Sequence, residues 1–173
     1  MEDRNLIQIQ HYHSPCGHLV LGSFDHQLCL CDWGLEKHRP LIDQRFRRIF
    51  NAEYVEDTSD VLEEAKRQLD EYFSKQRTKF NIPLLFIGTD FQKSVWKELL
   101  KISYGTTTSY GELAKRIGIP GAVRAVANAN GANAISIFVP CHRVIGSNHS
   151  LTGYAGGLSA KRFLLDLESE KLL

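Results

Sequence analysis

Residues 109–131 read SYGELAKRIGIPGAVRAVANANG, two helical patterns on either side of a glycine-proline break. Ser109 with Glu112 three positions later fits a capping box, in which hydroxyl and carboxylate satisfy free backbone donors at a helix start. Leu113, Ala114 and Ile117 then form an apolar stripe, and Gly118 supplies the stop. Pro120 suits the first turn of a second helix, which ends near Asn130-Gly131. Two helices joined by Gly118-Ile119-Pro120-Gly121 have the length and turn chemistry of a helix-turn-helix, a hairpin found also in proteins that never touch DNA. In the second helix Ala122, Ala125, Ala127 and Ala129 leave one side almost bare, with Arg124 its large polar group. Alanines favour helix and permit close packing. They also suit a narrow groove, where Arg124 would neutralise a phosphate or enter a base stack as a planar cation.

Upstream, Thr89-Asp90-Phe91-Gln92 is another capping box and opens a helix to about Ile102, with Phe91, Val95, Trp96 and Leu99 inward. The character before it is different. Residues 6–11, 18–24 and 27–33 alternate with period two, broken by Ser14-Pro15-Cys16-Gly17 and Phe24-Asp25-His26-Gln27, which reads as an antiparallel meander. Pro40 opens a helical pattern through Phe50. A second follows Ser59-Asp60, with Leu62, Ala65, Leu69, Tyr72 and Phe73 at helical spacing. Residues 80–87 are apolar and Pro-interrupted, an edge strand or a linker. The class is therefore α+β (α/β): an N-terminal antiparallel sheet with helices over 1–87, then a helical unit over 88–173.

The 173 residues suit one domain or two small ones. With 43% hydrophobic and 24% charged residues the chain is globular, which excludes disordered and collagenous classes. No apolar run approaches the roughly 20 residues a bilayer span needs, and Met1-Glu2-Asp3-Arg4-Asn5 resembles neither a signal nor a transit peptide. The expected location is cytoplasmic, or nuclear in a eukaryote. The net charge of +1 hides an asymmetry: residues 1–87 carry 11 Lys/Arg against 14 Asp/Glu, a net −3, and residues 88–173 carry 10 against 6, a net +4. The second unit would attract a polyanion modestly.

Downstream of the hairpin, the apolar residues 135–139 lead into Pro140-Cys141-His142-Arg143-Val144. A thiolate is the reactive form of cysteine, and two neighbouring cationic side chains would lower the Cys141 pKa, so Cys141 is a candidate nucleophile. Most cysteines are packing groups, which is the competing reading. In extended chain Cys141 and His142 would face opposite ways, so His142 would take the thiol proton through a water. Glu168, near the end of a last helical pattern over 158–167, is a candidate acceptor to orient His142.

These residues resemble a known family. Pro140-Cys141-His142-Arg143-Val144, then Gly153-Tyr154-Ala155-Gly156-Gly157 and Lys161 with Leu164-Leu165, look like the active-site region of the O6-alkylguanine-DNA alkyltransferases. The similarity extends upstream through Phe91-Gln92, Val95-Trp96, Ser109-Tyr110-Gly111, Leu113-Ala114 and Val123-Arg124-Ala125-Val126, and spans nearly all of residues 89–168. The resemblance implies a ribonuclease H-like N-terminal unit and a winged helix-turn-helix unit carrying the nucleophile. It implies DNA repair by direct reversal: the alkyl group of O6-alkylguanine, and of O4-alkylthymine, moves irreversibly to Cys141, one lesion per chain, from a base flipped out of the helix. His142 then relays a proton toward Glu168, and Tyr110 helps rotate the nucleotide and donates to the base. Asn133 braces the turn before the active-site strand. Arg124 fills the vacated stack, with Ser109, Ala122 and Ala125 on the DNA-facing surface in the minor groove. Val144, Tyr154, Ala155 and Lys161 belong to the base pocket.

The implied partner is double-stranded DNA, the expected assembly a monomer, and the expected cofactor none. Of the zinc ligands that some family members carry, Cys29 alone matches, because Asn5 and Phe24 stand at other ligand positions. His11, His13, Cys16, His18 and His26 would be the donors for a different zinc site, and Cys29 and Cys31 share one sheet face. Two other classes remain on the residues alone. A thiol hydrolase built on Cys141, His142 and Glu168 would turn over repeatedly, and a non-catalytic helix-turn-helix lesion sensor would need no nucleophile.

Overall fold

A computed structural model describes residues 3–34, 38–146, 148 and 152–169. The chain divides into two compact units, residues 1–88 and 89–173.

In the first unit, β1 (Asn5–Ser14), β2 (Gly17–Phe24) and β3 (Gln27–Trp33) form the antiparallel meander that alternation predicts. The second turn is Asp25-His26, both at positive φ (49° and 63°), the backbone that joins two twisted strands through a two-residue loop. Helix α1 (Arg39–Phe50) begins with Pro40 in its first turn and ends on Asn51 in the left-handed region, which turns the chain directly into β4 (Ala52–Glu56). Strand β4 pairs parallel to β1, giving the order β3-β2-β1-β4 and a mixed sheet. It carries no alternating signal, because along it only Ala52 is buried.

Ser59 caps α2 (Asp60–Phe73) by accepting from the Leu62 amide. Leu62, Ala65, Leu69 and Tyr72, all fully buried, are the stripe that α2 lays against β1, β2 and β3. Residues 80–87 run past the edge of β3, where the Leu28 amide donates to Pro83 O (2.8 Å) and Leu85 donates to Leu28 O (2.9 Å).

The second unit opens on α3 (Asp90–Leu99), with both arms of the Thr89/Gln92 capping box formed. The helix stops at Leu99 rather than near Ile102. Then come β5 (Thr108–Ser109), α4 (Tyr110–Ile117), α5 (Val123–Gly131), a 3-10 turn at Cys141–Arg143, β6 (Val144–Ile145) parallel to β5, and α6 (Leu158–Ser169). Ser109 caps α4 through the Glu112 amide, the hydroxyl arm of the predicted box. Gly118 closes α4 at φ +87°, a conformation that costs glycine nothing. Helix α5 begins at Val123, so Pro120 and Gly121 lie in the intervening turn rather than in the helix. Val95, Trp96, Leu99, Leu113, Ala114 and Val126 make the core of this unit, and the Trp96 indole donates to Ala129 O at 2.8 Å, pinning α3 to α5. Among the described residues no helix is long and apolar enough to cross a membrane.

Candidate active site

The residues leading to Cys141 fold back tightly. Ile137 sits at φ +75°, where a β-branched residue is strained. The Val139 amide donates to Ile135 O (2.9 Å) and the Phe138 amide to Ser136 O (2.9 Å). Buried Asn133 braces both ends of this turn: its Oδ1 accepts from the Ile135 amide and its Nδ2 donates to Val139 O, each at 2.9 Å. Cys141, His142 and Arg143 then form one 3-10 turn, not the extended chain expected from sequence.

Cys141 is 5% exposed and His142 fully buried. His142 Nε2 faces Glu168 Oε2 at 2.7 Å, so the proton on Nε2 is donated to the carboxylate and Nδ1 is left as the acceptor. That Nδ1 is buried without a partner among the described residues. Arg143, to which sequence reasoning gave no partner, grips the same carboxylate: Nε donates to Oε1 (2.8 Å) and Nη2 to Oε2 (3.0 Å), while Nη1 donates to Ile102 O (2.6 Å). A buried guanidinium beside an apolar run was the available signal, since such a charge requires an acid.

The electrostatics follow. Burial works against the Glu168 charge, but His142 and Arg143 outweigh it and hold the carboxyl well below the usual range. Burial also lowers the His142 pKa against the pull of Glu168, so the imidazole is neutral at neutral pH. For Cys141 the direction expected from its cationic neighbours is reversed: burial pushes the thiol up, while Asn133, Lys161 and Ser136 pull it back. The local cation is Lys161 rather than Arg143, whose charge is committed to Glu168.

Fully buried Lys161 donates to Val144 O (2.7 Å) and Thr152 O (3.4 Å). Tyr110, at the start of α4, hydrogen-bonds through its hydroxyl to Thr152 Oγ1 (2.7 Å). Val144 is buried, and Tyr154 and Ala155 are half-buried beside a turn closed by the Gly157 amide to Tyr154 O (2.9 Å). Arg124 and Ala125 are exposed on α5, Ala122 is half-exposed, and Ser109 is engaged as a cap. The α4–α5 hairpin therefore presents Arg124 on a surface of small side chains.

In the first unit, His11 Nδ1 lies 2.9 Å from His18 Nε2, and the His13 and His18 rings stack at 4.9 Å. Among the described residues no group of three or more His, Cys, Asp or Glu is arranged to hold a metal ion. Cys29 and Cys31 are buried in the sheet, and burial pushes the Cys29 thiol up to about 12.

Residues 90–170 match the model of the 6-O-methylguanine DNA methyltransferase DNA-binding domain, and residues 7–86 that of the ribonuclease-like domain of the same proteins. The chain is 58% identical over 104 residues to a methylated-DNA–protein-cysteine methyltransferase of Mycobacterium bovis, a match covering 60% of this chain and 63% of that one. It is 45% identical over 159 residues to the protein of that name from Methanosarcina barkeri, covering 92% and 95%. A crystal structure of Mycobacterium tuberculosis OGT in complex with DNA superposes with a TM-score of 0.79 at 41% identity, over 95% of this chain and 92% of that one.

Proposed function

The chain belongs to the methylated-DNA–protein-cysteine methyltransferase family, and from that premise we propose that it repairs alkylated DNA by taking the alkyl group onto Cys141. The observation that carries the reading is the buried His142–Glu168 pair beside Cys141, with His142 Nδ1 left unpartnered. That nitrogen takes the thiol proton, directly or through a water, and the imidazolium formed is neutralised by Glu168. The thiolate attacks the alkyl carbon of O6-alkylguanine, or of O4-alkylthymine. A carbon–sulfur bond forms, the carbon–O6 bond (carbon–O4 in thymine) breaks with its electron pair going to the base, and the base ring takes a proton from the Tyr110 hydroxyl, which the His142 imidazolium replaces through solvent. The thioether offers water no leaving group, so each chain acts once, without a cofactor.

The substrate is double-stranded DNA entered from the minor groove by the α4–α5 hairpin of a monomer. Base extrusion costs a few kcal/mol, offset in part by Arg124 entering the stack. Val144, Tyr154, Ala155 and Lys161 frame the extruded base, Asn133 holds the turn that presents the sulfur, and Ser109, Ala122 and Ala125 lie along the DNA. The setting is cytoplasmic, or nuclear in a eukaryote.

Intact-mass measurement after incubation with O6-methylguanine duplex tests this. Uptake should stop at one methyl per chain and vanish in Cys141→Ala, while DNA binding persists. Product released beyond one equivalent would point instead to a hydrolase built on the same three residues. Binding without any gain in mass would leave a lesion sensor.

A further inference from the structure

The hydroxyls of Tyr110 and Thr152 meet at 2.7 Å, and either one can donate. Tyr110 opens α4, whereas Thr152 lies 42 residues on, in the segment between β6 and α6. Its backbone is tied down as well: the buried Lys161 ammonium donates both to Thr152 O (3.4 Å) and to Val144 O (2.7 Å). Thr152 is thus a placed side chain in contact with the phenol that serves as the acid of the reaction.

A hydroxyl has one proton to donate. When Tyr110 gives its proton to the base it cannot also give it to Thr152, so the contact then persists only with Thr152 as the donor. As the phenol becomes a phenolate that bond turns charge-assisted, about twice as strong as a neutral one. An interaction that strengthens as the proton leaves lowers the barrier to its leaving.

We propose that Thr152 is a positioning residue for the proton donor: its hydroxyl holds the Tyr110 oxygen, leaves the phenolic proton free for the base, and stabilises the phenolate that forms. This rests on the alkyl-transfer reading, with Tyr110 as its acid. The Tyr110 proton goes to the base ring as the carbon–O6 electron pair moves onto the base. Thr152 keeps its own proton throughout, and the phenolate regains one from the His142 imidazolium through solvent.

Thr152→Val keeps the branched shape and removes the donor, whereas Thr152→Ser keeps the donor. We would follow benzyl transfer from free O6-benzylguanine at pH 7 by intact mass, in these variants alone and combined with Tyr110→Phe. The benzylated chain accumulates, so slow variants stay readable over hours. Thr152→Val should slow transfer about tenfold, the low end for a hydrogen bond to a charged group, and Thr152→Ser should restore most of the rate. In the Tyr110→Phe background Thr152→Val should cost nothing more, since a residue that acts through Tyr110 has nothing left to act on. Iodoacetamide alkylates a thiolate with loss of iodide, which takes no proton from Tyr110. Its rate at Cys141, corrected with Cys141→Ala chains for labelling elsewhere, should be parental in Thr152→Val.

An unchanged benzyl rate in Thr152→Val, an equal further loss in the Tyr110→Phe background, no recovery in Thr152→Ser, or a matching fall with iodoacetamide would each overturn the proposal. A threonine that only shapes the pocket gives the second of these results, and one that only supports the turn around the sulfur gives the fourth. Should Thr152→Val fail to fold, Thr152→Ala removes the same hydroxyl and is read in the same way. A parent chain that never accepts benzyl sinks the alkyl-transfer reading itself. A parent that accepts it no faster than Thr152→Val loses only the role of Thr152.

Discussion

Glu168 holds two neighbours at once, the imidazole of His142 and the guanidinium of Arg143, with almost no exposure to solvent. Removing its charge leaves Arg143 buried without compensation, a loss of about 3–5 kcal/mol. Glu168→Gln should therefore melt well below the parent and transfer alkyl groups about a hundredfold more slowly at pH 7, the scale of a disabled general base. The pH dependence has a definite sign. His142 resists protonation in the folded chain, so stability falls as pH drops below about 6.5, the pKa it regains on unfolding. Glu168 has a depressed folded pKa, so its contribution is present above about 4.3 and drains away below it. Calorimetry between pH 3 and pH 8 should show both steps in the parent and only the upper one in Glu168→Gln. A lower step that survives the substitution would mean another carboxylate is responsible. Cys141 and His142 are legible in the sequence from the motif that holds them, and Glu168 from the need of His142 for an acceptor. The sequence sets Arg143 near the thiol, but adjacency along the chain says nothing of direction inside a 3-10 turn.

At the scale of elements, caps were the most readable feature and edges the least. Thr89, Ser109, Ser59 and Gly118 do in space what their types suggest in sequence, because a cap is satisfied within three or four residues. Strand β4 escaped notice because its pairing with β1 is long-range and its side chains are mostly outside the core. Helix α5 starts three residues later than Pro120 suggests, proline being equally at home in a turn. Gly118 is open to a direct test: a Cβ there would meet nothing within 4 Å, so the cost of Gly118→Ala is backbone strain alone. Stability should fall by about 1 kcal/mol, or roughly 2–4 °C in melting temperature. Benzyl transfer from the free base should be unaffected. A loss several times larger would show that this turn constrains more than the direction of the chain.

Across the whole molecule the charge is divided, with the excess of cations on the residues that follow position 87. Duplex affinity should fall with added salt, and Arg124→Ala should flatten that dependence by about one counterion if the guanidinium meets a phosphate. If it enters the stack instead, Arg124→Ala slows transfer from duplex far more than from free O6-benzylguanine. Equal slowing of both would reduce Arg124 to a packing role, against its exposed position on α5. Among the described residues, Cys141 and each side chain linked to it or its neighbours, Asn133, Ser136, His142, Arg143, Lys161 and Glu168, falls within residues 89–173. The reaction's inventory is thus heritable as a single parcel. A substitution confined to the sheet unit therefore leaves each of these described bonds around the sulfur with both of its partners.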